Sequence, residues 1–162
     1  MTLVDVIGNT KIGTAQAGNN FMLTATNGFV EFDQITSEHG DIDINSNGSI
    51  IGDSLDAGND IIIDDLGGDI TINTANAGND LIIDDPAGDI KINTAKAGND
   101  IIMNAAAANI TITNQFDAGR DMKVEAKDLI AATLVAGRDL SLTERNGVID
   151  FVSATAGNDM TL

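Results

Sequence analysis

The chain of 162 residues carries 25 acidic against 8 basic side chains, a formal charge of −17, and has no Cys, Trp or Tyr, one Pro, one His and 17 Gly. This balance excludes a nucleic-acid ligand, which needs clustered Lys and Arg for its phosphates, and the lack of Cys excludes disulfides and thiolate metal sites. The 43% hydrophobic content is scattered in short pieces, well under the ~18 consecutive apolar residues of a spanning helix, so no membrane insertion is expected.

Met1-Thr2-Leu3-Val4-Asp5 lacks the basic and then apolar segments of a signal peptide, so an export signal lies on a longer parent chain or there is none. From there one phase runs through the sequence. Ala-Gly-Asn-Asp stands at residues 57–60, 77–80 and 97–100, with variants at Ala17, Ala118, Ala136 and Ala156. A period near 20 residues is the mark of a solenoid, whose coils bury their apolar faces only against one another. Each unit divides into two halves, as in Gly78-Asn79-Asp80-Leu81-Ile82-Ile83 and Gly88-Asp89-Ile90-Lys91-Ile92-Asn93. Both halves read as a turn and then a strand: Gly supplies the positive φ of a tight corner, Asn and Asp bond local backbone, and β-branched alternation follows. Strands are predicted to begin near Phe21, Phe29, Ile42, Ile50, Ile61, Ile70, Leu81, Ile90, Ile101, Ile110, Met122, Leu129, Leu140, Val148 and Met160. The prediction is an all-β parallel solenoid of about eight coils.

Two places break the rhythm. Residues 32–40 lengthen one coil, and Lys127-Asp128-Leu129 lacks the turn Gly, with 18 residues between Gly119 and Gly137. Both are read as bulges or corner changes within a single repeat domain, residues 1–162, that has no helix or polar cap at either end.

Strand parity sends Ile61, Ile63, Ile70, Ile72, Leu81, Ile83, Ile90, Ile92, Ile101, Met103, Ile110, Ile112, Met122, Val124, Leu140 and Leu142 inward. Thr71, Lys91, Thr111, Lys123 and Ser141 point outward. Ala75, Ala77, Ala95, Ala97, Ala154 and Ala156 fill a third, narrow side.

The units Ala118-Gly119-Arg120-Asp121-Met122-Lys123-Val124, Ala136-Gly137-Arg138-Asp139-Leu140-Ser141-Leu142 and Ala156-Gly157-Asn158-Asp159-Met160-Thr161-Leu162 resemble the repeats of filamentous-haemagglutinin-type adhesins, surface proteins exported by two-partner secretion. The resemblance spans essentially the whole chain. It implies a right-handed parallel β-helix serving as the structural or adhesive shaft of a bacterial cell-surface or extracellular fibre, with a host receptor or matrix glycan as an external partner. The Asn-Pro-Asn-type motif of that family's secretion domain is missing here. Gly58-Asn59-Asp60 and Gly67-Gly68-Asp69 are similar to repeats-in-toxin sequences, which bind calcium, although the spacing is ten or twenty rather than nine. That second resemblance implies a calcium-stabilised extracellular β-roll rod.

Three sets of side chains are candidates for function. Asp60, Asp80, Asp100, Asp121, Asp139 and Asp159 form one column, joined by Asp41, Asp69 and Asp89 on the other half-coil. Oxygen-rich columns suit calcium, with the pairs Asp64-Asp65 and Asp84-Asp85 bringing four carboxylates to one corner. Turn capping and solubility explain the same residues, and charges ~4.8 Å apart in water repel by only about 1 kcal/mol, so no cofactor is required. Ile62, Ile82 and Ile102, with Met22 in their column, point outward as an apolar stripe, which calls either for a partner or for cover by a loop such as residues 33–39. Asn19, Asn59, Asn79, Asn99 and Asn158 are expected to stack as an amide ladder. Catalysis needs residues that depart from a repeat. No catalytic residue is assigned, and a glycan-binding or glycan-cleaving β-helix is the third reading.

Overall fold

The fold is that of a computed structural model, which describes residues 1–5 and 8–162. Short strands stack on short strands: β1 (Thr2–Asp5), β3 (Phe21–Ala25), β5 (Ile42–Ser46), β7 (Ile61–Asp65), β9 (Leu81–Asp84), β13 (Leu140–Glu144) and β15 (Met160–Thr161). Longer strands stack beside them: β2 (Thr10–Ala17), β4 (Val30–Ser37), β6 (Ile50–Ala57), β8 (Ile70–Ala77), β10 (Ile90–Ala97) and β14 (Ile149–Ala156). Two strands, β11 (Ile101–Ala118) and β12 (Met122–Ala136), run through the corner and belong to both stacks, which joins all 15 into one sheet. Every pairing is parallel. The result is a β-solenoid of about eight coils, and no helix occurs among the described residues. Far-ultraviolet circular dichroism should accordingly give a β spectrum, and helix above roughly a fifth of the residues would contradict this fold.

Alternation builds the core. Ile61, Ile63, Ile70, Ile72 and the other predicted inward residues through Leu142 are all at most 2% exposed. Like stacks on like, as in the rung Ile61, Leu81, Ile101, Met122, Leu140. Each such side chain contributes about 1.5–3 kcal/mol by leaving water. In the long strands the inward parity slips by one residue. Ile70 and Ile72 face the core, Asn73 and Thr74 do not, and Ala75 and Ala77 face it again. Each long strand thus covers two sides; the column of Ala77 and Ala97 stays small throughout, whereas that of Ala75 and Ala95 also holds the buried Ile35, Leu55, Phe116 and Leu134, so the third side is not uniformly narrow.

The irregular places are corner changes. Residues 32–37 lie within β4 in ordinary register. The extra residue falls in the corner at 38–41, which makes the step from Phe21 to Ile42 one of 21 residues. The next step, Ile42 to Ile61, is 19 and restores the phase. Around Lys127 the chain dispenses with the corner and stays extended within β12, and register shifts on β11 between Ala105 and Asn109 and between Ile112 and Gln115 absorb the missing residues.

The corner glycines have a different cause from the one expected. Among the described glycines only Gly8 and Gly28 have left-handed φ, at 124° and 105°. In most of the other corners, though not at Gly18 or Gly67, Gly is demanded by the coil beneath. A Cβ on Gly78 would lie 2.2 Å from the carbonyl oxygen of Gly58, and one on Gly98 would lie 2.1 Å from that of Gly78. The same closeness recurs from Gly58 up to Gly157, so the column marks where stacked backbones touch.

Candidate functional site

The Asp column is a device for stacking corners. The N–H of Asp80 donates to Asp60 Oδ1 at 3.0 Å, that of Asp100 to Asp80 Oδ1 at 3.0 Å, and that of Asp121 to Asp100 Oδ1 at 3.1 Å. Asp139 and Asp159 continue the series. Asp41 begins it, accepting the Asp60 N–H at 3.3 Å, so it belongs to this column rather than to the other half-coil. Asp69 and Asp89 do stand on the opposite corner and work in the same way, with Asp89 N–H on Asp69 Oδ1 and Asn109 N–H on Asp89 Oδ1. A corner N–H that finds no carbonyl finds a carboxylate, as buried or half-buried backbone donors must.

The residue before Asp60, Asp80, Asp100, Asp121 and Asp139 supplies a second donor. Asn59 Nδ2 donates to Asp41 at 2.6 Å and Asn79 Nδ2 to Asp60 at 2.7 Å. Asn99 donates to Asn79, which is the one amide-to-amide step in this column. The expected amide ladder is therefore mostly an amide-to-carboxylate ladder. In the next two coils Arg takes the place of Asn and keeps its role: Arg120 binds Asp100 through both Nε and a terminal nitrogen, and Arg138 binds Asp121 likewise. These guanidinium groups hold the Asp100 and Asp121 carboxyls below the usual carboxylate range.

The pairs Asp64-Asp65 and Asp84-Asp85 do not point together. Asp64 and Asp84 are exposed on the outer face, whereas Asp65 and Asp85 are fully buried in the corner. Asp65 Oδ1 accepts Gly67 N–H at 3.2 Å, and Asp85 Oδ1 accepts Gly88 N–H at 2.7 Å and Ala87 N–H at 3.2 Å. The second oxygen of each is buried with no hydrogen-bond partner. Burial pushes the Asp65 carboxyl up to about 6, with the Gly67 N–H opposing and the Asp85 charge adding to it. Asp85 is raised for the same first reason. Among the described residues no three acidic or His side chains converge as a metal set would, so four carboxylates do not meet at one corner as the sequence suggested.

Ile62, Ile82 and Ile102 lie where parity places them, in register on the outer face of β7, β9 and β11. Ile102 is 38% exposed and the other two are half-buried. Residues 33–37 are in β4, within the other stack, and do not cover them. Beside this stripe runs a polar column, Thr24, Asn45, Asp64, Asp84, Asn104, Glu125 and Thr143. Its first half lines a shallow groove with Ser46, Asn47 and Leu66.

No protein-family model, curated protein or solved structure matches the chain.

One ladder escaped the sequence reading. Asn73 donates to Asp53 at 2.8 Å, Asn93 to Asn73 at 3.0 Å and Thr113 to Asn93 at 2.9 Å, along the bend between the two sides of the long strands. Its signal is the recurrence of Asn73 and Asn93 at the repeat distance, directly after the last inward Ile of each strand.

Proposed function

We propose that this chain is a structural or adhesive shaft segment of a bacterial cell-surface or extracellular fibre, continued end to end by further copies or by a longer parent chain. The observation that carries this reading is the architecture itself: about eight coils in parallel register on two stacks of strands, each coil bonded through its backbone to its neighbours, an arrangement that lengthens by adding coils. The uneven charge helps the contact. Residues 1–90 hold 16 acidic and 1 basic side chains, or −15, and residues 91–162 hold 9 and 7, or −2, so head-to-tail stacking sets the acidic end against the nearly neutral one. The repeated Ala-Gly-Arg-Asp and Ala-Gly-Asn-Asp units support the surface-fibre assignment by their resemblance to adhesin repeats.

No catalytic step is part of the proposal, because Asp60, Asp80 and Asp100 are each occupied in holding the next coil's backbone. Light scattering and electron microscopy test it: rods longer than the ~38 Å of eight coils should appear as concentration rises. A monodisperse particle of single length at high concentration would remove self-assembly. The groove beside Thr24, Asn45, Asp64 and Asp84 favours a second reading, a glycan ligand, because it sets acceptors and amide donors side by side. Glycan capture lost in a D64N/D84N variant would support it.

Calcium is proposed as dispensable. An exposed carboxylate site of millimolar affinity in 1 mM calcium adds only about 0.4 kcal/mol. Chelation should therefore shift the Tm by no more than about 2 °C, and a fall of 10 °C or more would establish the calcium-stabilised rod instead.

A further inference from the structure

The outward column of the short strands reads, coil by coil, Met22, Asp43, Ile62, Ile82, Ile102, Lys123, Ser141. In chemistry it is symmetric about Ile82. One Ile stands on each side, and beyond each Ile a charge, negative toward the start of the chain and positive toward its end. With coils ~4.8 Å apart, Asp43 and Lys123 each lie ~10 Å from Ile82. Rotation about a two-fold axis crossing the shaft at Ile82 exchanges the two ends. It places Ile82 on Ile82, Ile62 on Ile102, and Asp43 on Lys123 twice over.

The charges are free to make that contact. Arg120, Arg138 and Arg145 each bind a carboxylate of their own chain, whereas Lys123 forms no ion pair among the described residues. Asp43 accepts a hydrogen bond from Asn45 at 2.6 Å, and burial first, then the charge of neighbouring Asp64, disfavours its carboxylate. A cation brought to Asp43 offsets the repulsion from Asp64. The neighbouring polar column obeys the same symmetry, setting Asn45 opposite Glu125 and Asp64 opposite Asn104, while within the chain Asn45 donates to Asp43, Asn104 to Asp84, and Glu125 accepts from Arg145. Only Asp84 meets itself, at the margin of the face. Rotation about the shaft axis instead gives a parallel pair in which the Ile stripe meets Asp64 and Asp84, a mismatch.

We infer that this face is a self-complementary interface on which a second copy of the chain docks antiparallel about Ile82, with Asp43 and Lys123 paired at both ends of the Ile stripe. It holds whether the chain is a shaft segment or a calcium rod, whereas a glycan bound beside Asn45, Asp64 and Asp84 would compete for the same face. A face five residues wide and about seven coils tall covers ~500 Å² per copy. The total of ~1,000 Å² falls among weak contacts, so pairing is reversible and shows at high concentration or where shafts lie side by side. A two-fold contact of this kind closes on itself and yields pairs, not sheets.

Sedimentation equilibrium of the 162-residue chain in moderate salt is the test, with circular dichroism confirming that each variant is folded. The parent chain should form a dimer. D43K and K123D alone should each weaken self-association at least tenfold, because each sets like charges against each other at both ends. An equimolar mixture of the D43K and K123D chains should associate as the parent does, and so should the D43K/K123D double variant. Overall repulsion predicts the opposite for D43K, since two added charges bring −17 to −15. The crossed rescue cannot come from end-to-end growth, because both residues lie on the side of the shaft, and dimers by electron microscopy should be double in width and single in length. A parent chain that stays monomeric, a D43K chain that associates as well as the parent, or variants that fail to rescue one another would overturn the interface.

Discussion

Replacing Gly98 by Ala is expected to cost about 3 kcal/mol and to lower the Tm by roughly 6–12 °C. The added Cβ would lie 2.1 Å from the carbonyl oxygen of Gly78 and 3.0 Å from its carbon, and both are backbone atoms. Neither corner is free to move. Gly78 N–H is bound to Ala57 O at 2.9 Å and Gly98 N–H to Ala77 O at 3.1 Å, so relief requires the stacked corners to separate. Gly13→Ala is the matched control. Its Cβ would meet only Asp33 Oδ2 at 3.8 Å and its φ is not left-handed, so the change should be neutral or stabilise by up to about 1 kcal/mol through the unfolded chain. Thermal melts followed at the β band compare the two variants directly. Equal losses would mean that general loss of Gly, not contact between coils, sets the cost.

That contrast marks the boundary of what the sequence makes legible. Parity depends only on neighbours along one strand, and it placed Ile61, Ile63, Leu81 and Ile83 inside correctly. The reason for a corner Gly depends on how closely two coils approach, which no single coil encodes, so left-handed φ was the natural and mistaken explanation. Asp65 shows the reverse case. It shares parity with Ile61 and Ile63 and so belonged inside on the same rule, yet its charge and the adjacent Asp64 suggested a calcium corner of four carboxylates. The Ile62, Ile82, Ile102 stripe was legible as a column, but the relation of Asp43 to Lys123 was not. It needs the true register, in which the steps of 19 and 21 residues around Ile62 and Lys123 align residues that a fixed period of 20 would miss.

The buried aspartates lead to the second large effect, an increase of stability on acidification. In the unfolded chain an Asp titrates near 3.9, whereas burial holds the Asp65 carboxyl at about 6. Below both values the group is protonated in both states and contributes nothing to the difference. Between them the folded state binds the extra proton, so stability falls as pH rises through this window. Above about 6 the folded chain carries a buried carboxylate at a cost of about 3 kcal/mol. Asp85, raised for the same cause, adds in the same direction. Asp100 and Asp121 run the other way: Arg120 and Arg138 depress them, so their contribution is present at neutral pH and is lost as pH falls below the ordinary carboxylate range. Stability should therefore be greatest near pH 4 and decline steadily as pH rises through about 6 toward pH 7. Relief of the overall charge of −17 acts in the same sense on acidification, and Asp65→Asn separates the two. The amide keeps an oxygen for Gly67 N–H and replaces the unpaired oxygen by a donor, one coil below the unpaired oxygen of Asp85. At pH 7.5 the variant should melt roughly 5–10 °C above the parent, and at pH 4.5 the two should nearly coincide. A variant that gains nothing at pH 7.5, or gains equally at both pH values, would mean that Asp65 is not the group whose ionisation the corner resists.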